Sequence, residues 1–111
     1  MPFERILAAI DGSDCSDRAF AKALELAQLT GAHLTALAVE GPLPAYAATV
    51  GEVDVEVLPG HPPELIPRFA ADGGYDLIVL GHRGHFVRDR LLGSTADRVA
   101  EHAPCPVMIV R

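Results

Sequence analysis

Two apolar runs without a polar break, Ile6 to Ile10 and Leu77 to Leu80, are short and have no wet face. Such runs fit strands covered on both sides, as the central strands of a parallel sheet are. Within His33 to Val39, Leu34, Ala36, Leu37, Ala38 and Val39 put apolar groups on both faces, Val107 to Val110 is again uninterrupted, and Phe3 leads into the first run. Val53-Asp54-Val55-Glu56-Val57 alternates strictly instead, the pattern of a strand with one face in water. Helical spacing appears between the strands. Phe20, Ala23, Leu24 and Ala27 form one stripe within Ser16 to Leu29, away from Asp17, Lys22 and Glu25. Ser13 or Ser16 can cap that helix, and Gly31 can stop it. Leu65, Ile66, Phe69 and Ala70 mark a second helix, ended by Gly73-Gly74. Starting it at Pro62 puts Pro67 inside and predicts a kink, whereas starting near Glu64 moves Pro67 into the first turn. Ala96, Val99, Ala100 and Ala103 predict a third, Ser94 to Ala103, halted by Pro104. Strands alternating with helices predict an α/β fold with a doubly wound parallel sheet.

One connection breaks the alternation. Gly41 to Glu52 contains Pro42, Pro44 and Gly51 around a short Ala-Tyr-Ala-Ala piece, too little for a helix of useful length. A parallel crossover needs about a dozen residues, so this one is barely sufficient. Right-handed crossovers would put a helix here on the same face as Ser16 to Leu29. Its loss bares the second and third strands on that face. The expected remedy is that Asp54 and Glu56 face water there while Val53, Val55 and Val57 turn to the other side. The second strand is apolar on both faces, so the short connection, through Leu43, Tyr46 and Val50, is expected to fold back over it.

The chemistry gathers after the fourth strand. Leu77 to Leu80 runs into Gly81-x-x-Gly84, where a ligand can approach backbone with no Cβ in the way. Gly93-Ser94-Thr95 then opens a helix, whose first N–H groups lie at the positive end of its dipole and suit a phosphate. Asp11 ends the first strand, on the edge where open α/β sheets bind ligands. Asp11-Gly12-Ser13-Asp14 is also good turn chemistry, so Asp11 reads either as a ligand contact or as a turn residue.

Length and composition narrow the function. The 111 residues fit one domain, 1–111, and half of them are hydrophobic, which argues against disorder. A formal charge of −6 argues against a nucleic-acid surface. Three of the nine cationic residues nevertheless cluster at Arg83, Arg88 and Arg90, which fits an anion site beside the glycine loop. The start shows no basic-then-apolar leader and no run is long enough to span a membrane, so a cytoplasmic protein is expected. Cys15 and Cys105 make no disulfide framework, and the five histidines are scattered, so no metal site is expected.

These features together resemble the universal stress protein family. Its nucleotide-binding members carry a Gly-x2-Gly-x9-Gly-Ser/Thr loop after the fourth strand, and this chain has Gly81-x2-Gly84-x8-Gly93-Ser94, one residue shorter. Ile6-Leu7-Ala8-Ala9-Ile10-Asp11-Gly12-Ser13 and Ala103-Pro104-Cys105-Pro106-Val107 are similar to the family's two ends. The likeness implies a five-stranded parallel sheet in the order 3-2-1-4-5, of the adenine nucleotide alpha hydrolase-like type, with the second helix reduced to a loop. It implies ATP or another adenine nucleotide as ligand. Asp11, next to Ile10, would touch adenine or ribose, and Val39 would offer a backbone edge to the base, though its side chain is equally at home in the core. Gly81, Gly84, Gly93, Ser94 and Thr95 would hold the phosphates, with Leu80 beside them and Arg83, His85 and Arg88 adding charge. It also implies a homodimer through residues 106 to 110.

The residues point to binding more than to catalysis. No Walker-type Gly-Lys-Ser/Thr is present, and His85, with Asp89 a poor second, is the nearby candidate for activating water. The resemblance accordingly implies a regulatory adenine-nucleotide binder involved in stress response. The alternative is an interaction module of the same fold that binds no nucleotide.

Overall fold

The computed structural model describes residues 3–39, 53–82 and 94–111. Among the described residues five strands and three helices follow in chain order: β1 (Arg5–Ile10), α1 (Asp14–Thr30), β2 (His33–Val39), β3 (Val53–Leu58), α2 (Pro62–Gly73), β4 (Leu77–Gly81), α3 (Ser94–His102) and β5 (Val107–Val110). The strands form one sheet in the order β3-β2-β1-β4-β5, with every pairing parallel. This is the doubly wound sheet expected from the alternation of patterns. The shortened connection, with Leu43, Tyr46 and Val50, lies outside the described residues.

The continuous apolar runs are central for the reason their composition suggested. Ile6, Ala8 and Ile10 of β1 face α1, where Ala19, Phe20, Ala23 and Ala27 complete a buried cluster with Leu34, Ala36 and Ala38 of β2. Leu7, Ala9, Leu37, Ile78 and Leu80 point the other way, into a second cluster with Ile66 and Ala70 of α2 and Ala96 and Val99 of α3. One helix thus covers one face and two cover the other, as right-handed crossovers require in this strand order. The alanines of α1 keep the helix close to the sheet, and burial of both faces supplies the main drive for the fold. Among the described residues, no helix is long and apolar enough to cross a membrane.

The helix ends follow the expected chemistry. Ser13 caps α1, its Oγ accepting from Ser16 N–H, and Gly31 closes the helix in the left-handed region with φ 76°. α1 begins at Asp14 rather than Ser16, because Ser13 and not Ser16 is the cap. α2 begins at Pro62, so Pro67 is interior. It stands on the buried stripe with Pro63, Ile66 and Ala70, and tertiary packing there outweighs the lost backbone hydrogen bond.

β3 corrects the expectation about its faces. The register pairs Leu34 with Val53, Ala36 with Val55 and Ala38 with Val57. Parallel partners point to the same side, so the three valines lie on the α1 face and Asp54 and Glu56 on the opposite one. Val53 packs against the α1-side core, while Val57 is 51% exposed. Continuity with the apolar residues of β2 sets the register. The carboxylates fall on a side where Asp54 meets His33, Oδ2 to Nε2 at 2.9 Å. β2 itself is buried from Leu34 to Ala38, on both faces.

Candidate functional site

Strand order reverses between β1 and β4. β1 continues to β2 on one side while β4 continues to β5 on the other, and a crevice opens beyond the carboxyl ends of the strands at such a point. A cleft lies there, with roughly 490 Å³ of space including its open mouth. Ala9, Ile10 and Leu80 form its base, and Leu37 and Val39 of β2 with Pro62 and Ile66 of α2 form an apolar wall. Asp11, Ser13, Ser16, Gly81 and Thr95 form the polar side. Among the described lining residues Asp11 alone carries an ionisable side chain.

The polar side is built by the turn from β1 into α1. Gly12 has φ 84°, a left-handed conformation that lets the chain turn immediately after Asp11. Asp11 Oδ1 accepts from Ser13 N–H at 2.8 Å. Ser13 Oγ accepts from Ser16 N–H at 3.2 Å, and Ser16 Oγ accepts from Asp11 N–H at 2.8 Å. The two readings of Asp11 therefore coexist: its carboxylate orders the turn and also borders the cleft.

Of the expected site residues, the cleft brings together Ile10, Asp11, Val39, Leu80, Gly81 and Thr95. Ser94 is the first residue of α3 and is exposed, but it is not among the lining residues. Arg83, Gly84, His85 and Gly93 lie outside the described residues, as does Arg88. Gly81 serves more than ligand approach. A Cβ there would lie 2.8 Å from the Cβ and carbonyl carbon of Cys15, so a side chain would collide with the first turn of α1. Ser13, Ser16, Leu37, Pro62 and Ile66 also line the cleft without having been singled out as contacts. The serines were legible only as helix caps. Leu37, Pro62 and Ile66 carried no signal beyond hydrophobicity.

The chemistry of the cleft is two-sided. An apolar slot beside hydroxyls, a carboxylate and the first turn of a helix suits a ligand with a flat, weakly polar body and a hydroxylated, anionic part. A nucleotide has that division.

The Universal stress protein family model matches residues 2–52 and 43–111, two pieces that meet within the connection between β2 and β3. A Thermus aquaticus protein, "Universal stress protein in QAH/OAS sulfhydrylase 3'region", is 35% identical, over 98% of this chain and 99% of that one. That alignment runs over 136 positions against the 111 residues here, so the relative has segments that this chain lacks. Universal stress protein UspA from Lactobacillus plantarum superposes with a TM-score of 0.86 at 28% identity, covering 100% of this chain and 99% of that one. A universal stress protein solved in complex with cAMP gives 0.81, also at 28% identity, covering 100% and 98%. These structures have the adenine nucleotide alpha hydrolase-like fold. By its matched residues and its sheet, the chain belongs to the universal stress protein family.

Proposed function

We propose that this protein binds an adenine nucleotide, ATP or a shorter form, in the cleft between β1 and β4, and acts as a cytoplasmic regulator in a stress response. The observation that carries the reading is the division of the cleft. The apolar wall of Leu37, Val39, Pro62 and Ile66 takes the base, and the turn bearing Asp11 takes the sugar. The phosphates extend toward Thr95 and the first turn of α3, with Gly84, Gly93, Arg83 and His85 contributed by residues 83–93. Support for the ligand class comes from the related structure in complex with cAMP. Binding rather than catalysis is the favoured role, because the sequence carries no Walker-type Gly-Lys-Ser/Thr.

The protein also forms a homodimer in this reading, through residues 106 to 110. β5 is an edge strand, apolar throughout and only half-buried, and such edges seek pairing.

Calorimetric titration with ATP, AMP and cAMP tests the reading, on the parent and on Gly84→Val and Gly93→Val. Binding by the parent and its loss in both variants are expected. Parent-like affinity in both variants contradicts the phosphate assignment. A parent that binds none of the three contradicts the ligand class and leaves an interaction module of the same fold.

A further inference from the structure

Three hydrogen bonds of the β1–α1 turn close a ring. The side chain of Asp11 holds the backbone of Ser13, the side chain of Ser13 holds that of Ser16, and the side chain of Ser16 holds that of Asp11. Capping α1 requires only the middle bond. The third, donated by Asp11 N–H to Ser16 Oγ, ties the residue after β1 to the first turn of the helix. Its effect falls on Asp11, which sits after the last paired residue of β1 and before the left-handed Gly12.

We propose that Ser16 is a positioning residue for nucleotide recognition, fixing the Asp11 backbone so that its carboxylate stands ready for the sugar hydroxyls. The proposal rests on the reading of the cleft given above. Ser16 is 2% exposed, and its backbone nitrogen lies 2.9 Å from where a Cβ on Gly81 would be, so neighbouring backbone holds it firmly. With one carboxylate oxygen tied to Ser13 N–H and the Asp11 N–H tied to Ser16 Oγ, both ends of the residue are anchored before any ligand arrives. A site built in advance for hydroxyl groups rejects analogues that lack them far more strongly than an adaptable one. Without the Ser16 hydroxyl the Asp11 backbone loses its anchor, and sugar discrimination falls even where base and phosphates still bind.

The test compares AMP with 2′,3′-dideoxy-AMP by calorimetry on the parent, Ser16→Ala, Ser16→Thr and Gly31→Ala. The last variant lowers stability at the far end of α1 and leaves the cleft alone. The parent and Gly31→Ala should prefer AMP by about tenfold or more. Ser16→Ala should lose most of that preference, and Ser16→Thr, which keeps an acceptor, should retain it. A preference unchanged in Ser16→Ala, or absent from a parent that binds both nucleotides, overturns the role of Ser16 and leaves the nucleotide reading standing. A parent that binds neither removes both. Should Ser16→Ala fail to fold, a crystal structure of the parent with AMP decides. An intact ring with the carboxylate in reach of the sugar supports the proposal, and an opened ring or an averted carboxylate overturns it.

Discussion

A side chain on Gly81 would have its Cβ 2.8 Å from the Cβ of Cys15. The end of β4 therefore lies directly beneath the first turn of α1, and a glycine there is a packing requirement. Gly81→Ala should force helix and strand apart, at a cost of about 1–3 kcal/mol. Thermal unfolding should show a Tm lower by about 4 °C or more. An unchanged Tm would mean that the helix end yields freely.

Tyr75 supplies a second test of packing. Its hydroxyl lies 2.8 Å from Thr35 Oγ1 in a buried hydrogen bond, its ring stacks on Phe69, and the Arg5 guanidinium lies 4.7 Å above it. Tyr75→Phe removes one partner and should cost about 1 kcal/mol or somewhat more. Adding Thr35→Val should cost less than it does alone, because neither substitution then strands a polar group. Additive losses in denaturant unfolding would show that the hydroxyls are not coupled.

The Cys105 thiol titrates above its ordinary value of 9.0, because of its burial and then the neighbouring Asp76 carboxylate. Alkylation should accordingly reach half its limiting rate at a higher pH in the folded protein than in the unfolded chain. The folded state holds this proton more tightly than the unfolded one. Its contribution to stability is thus complete below the unfolded thiol's range and is lost as pH rises through the folded value. A folded midpoint at or below that of the unfolded chain would contradict this.

The free edge of β5 bears on assembly. The carbonyls of Pro106 and Val110 accept from Ile78 and His82 N–H, so alternation turns the backbone groups of Val107 and Ile109 toward the open edge. Sedimentation should find a dimer at tens of micromolar, and Ile109→Pro, which removes an edge donor, should weaken it. A monomer in the parent would count against pairing through this strand.

Much of the fold was written in the pattern of apolar positions. Ile6 to Ile10 and Leu77 to Leu80 could be satisfied only between two layers of helices. Gly31 and Pro104 marked where helices end. β3 was misread, because its alternation gives two faces but not which of them meets the core. Register against Leu34, Ala36 and Ala38 decides that, and register is a tertiary property. The lining of the cleft was legible where backbone chemistry is local, as at Asp11 and Thr95. It was not legible where Leu37, Pro62 and Ile66 meet from separate elements, because only tertiary packing brings them together.

Whether the cleft between β1 and β4 holds an adenine nucleotide is read from thermal melting under titration with ATP, AMP and GTP. Ligand at about a hundred times its Kd adds about 2.7 kcal/mol. For a chain of this length that corresponds to a rise in Tm of about 10 °C. ATP or AMP should produce a rise that grows with concentration, and GTP should produce little. No rise with either adenine nucleotide at millimolar concentration, or an equal rise with GTP, would mean that the cleft is not an adenine-nucleotide site.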